Sequence, residues 1–484
     1  MTELTELEPL VVWTHFDQMR KIPRCSGNEA AIRQHLIELA ATRGWDSQVD
    51  PVGNLLLTIP ATPGHQGAEG VVIQGHLDMV CEKDSDTEHD FATQGIDAYV
   101  DGDLVKARGT SLGADNAIGL ALGLGIADDP DAVHGPLEIL ATIEEETGLT
   151  GASELDASMI KGKILVNLDS EDEGEFYVGC AGGGDQAGLY RPARVAPAAG
   201  SAAAEIKVGG LHGGHSGLDI GLGRGNAILI LGRLVQRLIR GGLVTGIDSF
   251  TGGSKHNAIP REAWATVRVD PARHAEVERL VALHRDEELA TLGEADPGLT
   301  IELGAADGAA DTIGVEAFQP VLETLLDLPH GVVAMSPDIE GLVQTSNNVA
   351  IVSDVDGGVR LYTSSRSSVE AELVALRDRI CARMEQTGGA IERDEAYPAW
   401  EPNMRSPILA RCKKVFTELR GTEPPIKAIH AGLECGIIGE AVDGMDMISF
   451  GPDIRHPHSP QEFVDIPSVA RTWEFLKALM ADLA

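Results

Sequence analysis

The chain has 484 residues, more than one hydrophobic core usually organises, so two or three domains are expected. With 43% hydrophobic residues and no low-complexity tract it reads as a folded protein, and 56 glycines beside 4% aromatics suit an α/β architecture with many tight turns. The 38 basic and 75 acidic residues leave a net charge of −37, which argues against nucleic acid and membrane surfaces as partners.

The opening decapeptide MTELTELEPL is acidic and lacks the basic and apolar segments of a secretion signal. No apolar run approaches the ~20 residues that span a bilayer. An α-helix is expected first, then a turn at Pro23–Asn28 (PRCSGN), then a second helix whose apolar spacing runs to Gly44. Short apolar runs follow: VVIQ (71–74), LEILATI (137–143), ILVNL (164–168) and MISF (447–450). Bounded by Gly and polar residues, they suit buried parallel strands, with helical stretches such as NAIGLALGLGIA (116–127) between them. Composition breaks at 191–204 and near Tyr397-Pro398. Between the breaks, strand-like EIKVGG, WATVRVD and VRLYTS accompany long helices (226–240, 369–387). The expected layout is a catalytic domain from 1–190 and 397–484, interrupted by an α+β domain at 191–396. Six scattered cysteines (25, 81, 180, 381, 412, 435) with no CxxC pair read as free thiols in a reducing compartment, which makes the cytoplasm the expected location.

Four of the apolar runs lead, on their carboxyl side, to residue types that bind metals. VVIQ runs into His76 and Asp78, LEILATI into Glu144, Glu145 and Glu146, and ILVNL into Asp169; MISF leads through GPDIRHP to His458. Asp115 stands in SLGADN, where a helical run begins. In open α/β sheets, sites form outside the carboxyl ends of strands, so these segments are placed to meet in one crevice. A single histidine after a strand is ordinarily structural, and a run of glutamates is ordinarily a solvated face; the combination, in this order, points to metal. His76 can bind an ion through one ring nitrogen while Asp78 supports it from behind. Adjacent Glu145 and Glu146 can divide proton handling from ligation.

Taken together, GHLDMV (75–80), SLGADNAIG (111–119), EEETG (144–148), NLDSEDEGE (167–175), GLHGGHSG (210–217), HNAIPRE (256–262), HAGLECG (430–436) and GPDIRHPHSP (451–460) resemble the ordered motifs of the co-catalytic zinc peptidases. That superfamily includes carboxypeptidase G, aminoacylase and tripeptidase. NLDSEDEGE, GCAGGG (179–184) and HAGLECG resemble the aminoacyl-histidine (Xaa-His, or cytosol non-specific) dipeptidase branch. The resemblance spans essentially the whole chain. It implies an α/β catalytic domain with a central, mostly parallel sheet, and an inserted α+β lid and dimerisation domain.

Residue by residue, the resemblance implies two metal ions bridged by Asp115. One is completed by His76 and Glu146 or by the symmetric alternative, the other by Asp169 and His458; which histidine pairs with which acid stays open. One imidazole and two carboxylates per ion suit Zn²⁺ and tolerate Mn²⁺ or Co²⁺. Two ions about 3.5–4 Å apart share a water and lower its pKa. Glu145 is implied as the general base, Asp78 as its supporting neighbour, and the Asp115–Asn116 peptide as cis. In the inserted domain His215, of the HSG motif, is implied to reach the active site of the other subunit of a homodimer and stabilise the oxyanion. Asn257 is implied in substrate binding, and Arg366 in holding the substrate carboxylate through its planar fork. Glu434 either meets the substrate amine or braces its loop. The implied activity is hydrolysis of unblocked dipeptides, with preference for a C-terminal histidine and breadth at the first residue. Two alternatives stay open: an amidohydrolase of acyl-amino acids on the same fold, and a non-catalytic dimeric binding protein. Against the second stand Glu145 and a full ligand set. No HExxH, GxxxxGK[ST] or GxGxxG motif points to a different enzyme class.

Overall fold

A computed structural model describes residues 3–355 and 357–484. Packing divides the chain into two units: Met1–Cys180 with Pro402–Ala428 and Leu433–Ala484, and Ala181–Glu401 with Ile429–Gly432. An inserted second unit was expected, but its edges differ. Gly182–Tyr190 already pairs along Gly358–Ser367, and Tyr397 bridges to Gly183, so the composition breaks at 191–204 and near Tyr397 lie inside the second unit. Its first strand carries too little apolar sequence to be separated from what precedes it.

The first unit is built on an eight-stranded sheet. Its centre holds β1 (Val71–His76), β2 (Leu137–Thr142), β3 (Ile164–Asn167) and β4 (Asp446–Ser449), in the order β2-β1-β3-β4 and parallel throughout. Every residue of β1, β2 and β3 is buried, which is why they appear in sequence as unbroken apolar runs rather than alternating ones. Leu55–Ile59 joins β2 antiparallel and carries Asp46–Val49 in turn, while Phe176–Cys180 meets β4 antiparallel. Helix α1 (Ala114–Asp128) is buried along almost its whole length. Gly123 rests on Ile73 and Gly125 on Trp473, so small residues let this helix lie close to the sheet on one side and to the helix Ile466–Leu483 on the other. The two opening helices form as expected, over Leu10–Met19 and Ala30–Arg43; the second stops at Gly44, whose φ of 72° closes it in the left-handed region.

Among the cysteines, Cys25 and Cys81 form a disulfide, with Cα atoms 5.7 Å apart. The expectation of six free thiols is therefore corrected at this pair. The Pro23–Asn28 turn lies against the chain leaving β1, where Cys25 bridges to Met79, and that contact brings two distant cysteines together. Cys180, Cys381, Cys412 and Cys435 lie outside this disulfide and are buried.

The second unit is an α+β domain around an antiparallel sheet that includes Ala202–Gly209, Ala263–Val269, Val244–Gly252, Val343–Val355, Gly358–Ser367 and Gly182–Tyr190. Helix Ala227–Arg240 shows how sequence dictates its packing. Ile228, Leu231, Leu234, Val235 and Leu238 recur at three- and four-residue spacing and are buried against the sheet, while Arg233, Arg237 and Arg240 lie on the other face. Asn226 caps it by accepting the N–H groups of Ile228 and Leu229. Among the described residues no helix is long and apolar enough to cross a membrane.

Candidate metal centre

Because the four central strands are adjacent and parallel, their carboxyl ends open along one edge of the sheet. His76 ends β1, Glu145 and Glu146 follow β2, Asp169 follows β3, and His458 lies on the loop beyond β4. Asp115 stands at the mouth of α1, where it and Asn116 depart from helical geometry and the peptide between them is cis. The segments meet as the strand-end argument anticipated.

Asp115 is the centre of the geometry. His76 Nε2 lies 3.0 Å from its Oδ1, and His458 Nε2 lies 3.2 Å from its Oδ2. Asp169 Oδ1 is 3.4 Å from His76 Nε2, and Glu146 Oε2 is 2.9 Å from His458 Nε2. Potential donor atoms of His76, Asp115 and Asp169 fall within 4.8 Å of one another, as do those of Asp115, Glu146 and His458. Each trio is one imidazole and two carboxylates, with Asp115 common to both. Of the two sequence pairings, these distances favour the symmetric alternative, His76 with Asp169 and His458 with Glu146. The reason is topological: β1 and β3 are hydrogen-bonded neighbours, so His76 and Asp169 emerge side by side.

The residues fit a pair of divalent cations. Glu146 Oε1 is buried without a hydrogen-bond partner and Asp169 Oδ1 has only the His76 ring at 3.4 Å, in a site where three carboxylates face two imidazoles. Orphaned oxygens of ionisable groups are costly unless a cation takes them. Electrostatics show the same imbalance. Hydrogen bonds to Asp115 and Glu146 push the His458 imidazole up to about 11. Burial pushes the Asp169 carboxyl up despite the nearby His76 charge. Burial would also raise Asp115, but its bonds to His458 and His76 pull it below the usual carboxylate range. Glu145 is raised well above its ordinary value by burial, with the negative charges of Asp169, Glu434 and Glu146 adding to it.

Asp78 ties this cluster together from beneath. Its Oδ2 accepts from Ser26 Oγ (2.7 Å) and the Glu146 N–H (3.3 Å). Its Oδ1 accepts from the Glu145 N–H (3.1 Å) and lies 3.3 Å from His76 Nδ1. Burial opposes its ionisation, yet the contacts with His76 hold it down to about 2. The glutamate turn is bent by Glu144 at φ 47°, and His458 itself sits at φ 58°, so two non-glycine residues of the site occupy the left-handed region. Glu434 is fully buried: its Oε2 accepts from Gln74 Nε2 (2.5 Å) and Thr142 Oγ1 (2.7 Å), spanning β1 and β2. Its Oε1 is buried without a hydrogen-bond partner.

The second unit holds the remaining candidates. His215 lies on a two-residue strand paired with Ala258–Ile259, and the Ser216 N–H donates to the Asn257 carbonyl (2.8 Å), so the GGHSG and HNAIP segments form one ribbon. A cleft of about 500 Å³ runs beside it, lined by His215, Asn257, Arg261 and Trp264 among others. His215 Nδ1 accepts the N–H groups of Gly217 (3.2 Å) and Leu218 (3.1 Å), which leaves the ring proton on Nε2. Burial, helped by the Arg366 charge, lowers this imidazole to about 4, so it is neutral at neutral pH. Arg366 is buried and donates through Nη1 to Tyr397 Oη (2.7 Å); its Nε has no partner.

Sequence reasoning passed over Arg24, read only as turn chemistry, and Glu462, four residues beyond His458; both are buried beside the ligand loops. It also passed over Glu171, whose carboxyl burial and the charges of Asp115 and Asp169 raise to about 8. The one available signal was proximity in sequence to a ligand motif.

A model of peptidase family M20/M25/M40 matches residues 72–482. The cytosol non-specific dipeptidase of Escherichia coli K12 is 37% identical over 486 residues, covering 100% of this chain and 99% of the relative. The crystal structure of aminoacylhistidine dipeptidase from Vibrio alginolyticus superposes with a TM-score of 0.89 at 39% identity, covering 99% of this chain and 98% of that one. That of aminopeptidase PepT from Bacillus cereus aligns over 99% of both chains with a TM-score of 0.57 at 16% identity, a likeness of fold.

Proposed function

This chain belongs to peptidase family M20/M25/M40, and from that premise we propose that it is a two-metal dipeptidase of unblocked dipeptides, with preference for Xaa-His. The observation that carries the proposal is Asp115, whose two oxygens face two different histidines, each backed by its own carboxylate. The names of the two full-length relatives support the substrate class, the second of them supports the C-terminal histidine, and the first supports a cytoplasmic location.

His76, Asp115 and Asp169 would hold one ion and Asp115, Glu146 and His458 the other, with Zn²⁺ the best match to the donors and Mn²⁺ or Co²⁺ tolerated. Bound there, the ions would supply Lewis acidity for a water nucleophile and positive charge that favours the ionised form of neighbouring carboxylates. Glu145 takes the proton from the attacking water and returns it to the leaving amine. Asp78 fixes the imidazole of His76 and the amides of the Glu145–Glu146 turn, so base and ligand keep their separation. His215, neutral with its proton on Nε2, is equipped to donate to a developing oxyanion. Arg366 holds the substrate carboxylate and Asn257 orients the peptide.

We further propose a homodimer through the second unit, in which each His215 serves the other subunit. A partly apolar surface supports this. The strand Gly331–Met335, paired among the described residues with Val343–Val355 alone, exposes Val332, Val333 and Met335, and Leu218 and Leu222 are exposed on the segment just after His215.

A panel of dipeptides and N-acetyl amino acids, assayed with added Zn²⁺, Mn²⁺ or Co²⁺, tests the activity. Turnover of Xaa-His dipeptides above all else is expected. Turnover of acyl-amino acids alone would point to the amidohydrolase, and none at all to a binding protein.

A further inference from the structure

The loop that delivers Asp115 is held by two buried charges that the mechanism above does not use. Glu462, 2% exposed, accepts four consecutive backbone N–H groups: Leu112 (2.7 Å) and Gly113 (2.9 Å) on Oε2, and Ala114 (2.7 Å) and Asp115 (3.4 Å) on Oε1. Four amides converge on one carboxylate because Gly113, at φ 66°, turns the chain into a concave nest ahead of α1. On its other side Gly113 is gripped through its carbonyl by Arg24 Nη2. A side chain at Gly113 would strike Arg24 and Met79, so the approach is open only to glycine. Arg24, also 2% exposed, donates from Nη1 to the carbonyls of Leu77 (3.0 Å) and Asp78 (2.6 Å).

One peptide segment is thus clamped from both faces, and the same guanidinium reaches the turn that carries His76 and Asp78. We propose that Glu462 is a positioning residue that sets the bridging orientation of Asp115, and that Arg24 couples this clamp to the end of β1. The proposal rests on the two-metal reading. A carboxylate is required because an amide in its place would turn one N–H toward a backbone N–H; an arginine is required because only a planar fork reaches three carbonyls on two loops.

The test is titration of metal-stripped protein with Co²⁺, read by calorimetry for stoichiometry and affinity and by visible absorption for ligand field. Wild type, Glu462→Gln, Glu462→Ala and Arg24→Lys are compared, with circular dichroism and melting temperature measured alongside. Wild type should take up two ions per chain. Glu462→Ala should bind at least one of them about 10- to 100-fold more weakly, the usual scale for residues that orient ligands, with an altered Co²⁺ spectrum. Glu462→Gln, which keeps the shape, should fold and fall between the two, and Arg24→Lys should resemble it. A lowered melting temperature with unchanged affinity and spectrum would assign Glu462 to stability alone and overturn the proposal. Failure of wild type to bind two ions would instead overturn the two-metal reading beneath it. If Glu462→Ala does not fold, Glu462→Gln decides by the same two readouts.

Discussion

Glu145 and Glu146 are adjacent, and the proposed mechanism gives them different work. Glu146 Oε2 meets His458 and its Oε1 has no partner, as expected of a ligand; Glu145 makes no ion pair with a histidine, though its carboxylate lies within 4.8 Å of donor atoms of His76 and Glu146. Glu145→Gln should therefore keep its metal and lose at least ~10²-fold in turnover, the scale of general-base loss. Glu146→Ala should lose metal as well as activity. Metal analysis beside kinetics separates the two, and near-normal turnover of Glu145→Gln would reject the assignment. At this scale sequence was most informative. Residue types that bind metal stood behind strand-like runs, and their order was recognisable. What sequence did not reveal was the pairing of His76 with Asp169, because that depends on which strands are neighbours in the sheet. Arg24 and Glu462 were also missed, because they act on backbone atoms, and backbone contacts leave no pattern of residue types.

Among the elements, the buried parallel strands were legible because burial on both faces demands unbroken apolar runs, and helix Ala227–Arg240 because its buried positions follow a helical period. The Cys25–Cys81 link was not, since no spacing announces a pair 56 residues apart. Loop-closure entropy for a bridge of this span gives about 4 kcal/mol of stabilisation. The Cys25→Ser/Cys81→Ser protein should unfold at lower denaturant than wild type without reductant, and the gap should close when wild type is reduced. An unchanged midpoint would show that the bridge contributes nothing in solution.

A second element carries a pH dependence. His330 is half-buried, its Nδ1 accepts the Val349 N–H (3.4 Å), and it faces Asn226, the cap of helix Ala227–Arg240. Burial, with the Arg233 charge adding, lowers the imidazole to about 4, and a helix amino terminus also disfavours a cation. The unfolded chain binds this proton near pH 6.5, so between about 6.5 and 4 the unfolded state holds more protons than the folded one. Stability from a neutral His330 is therefore full above about pH 6.5 and is lost as pH falls toward 4, on the order of 3 kcal/mol in all. Denaturant unfolding of wild type and His330→Gln across this range should show the wild-type advantage shrinking with acid. A constant gap would contradict it.

For the whole molecule, the proposed mechanism takes its metal ligands from the first unit and its oxyanion donor, His215, from the second. The dimer proposal joins them by an isologous exchange, each subunit supplying His215 to the next. Lysines at Val332 and Met335 should shift the protein from dimer to monomer in sedimentation and depress turnover, while leaving metal content intact. Mixing inactive Glu145→Ala with inactive His215→Ala chains should restore up to about a quarter of sites under random exchange, because one site of each heterodimer is then whole. No recovery in verified heterodimers would leave His215 acting within its own chain. Two units were legible in the sequence as a change in composition, but their edges at Cys180 and Pro402 were not, because the second unit's sheet begins before the composition changes.

The central claim is that dipeptide hydrolysis depends on a pair of ions gathered about Asp115. It is tested most directly by stripping the protein with chelator, adding Zn²⁺ stepwise, and measuring bound metal and hydrolysis of an Xaa-His dipeptide in the same samples. Activity should be absent at the start, rise with uptake and level off at two ions per chain, and Asp115→Asn should neither fill nor recover. Hydrolysis that survives exhaustive chelation, or an Asp115→Asn protein that binds two ions and turns over normally, would contradict the account.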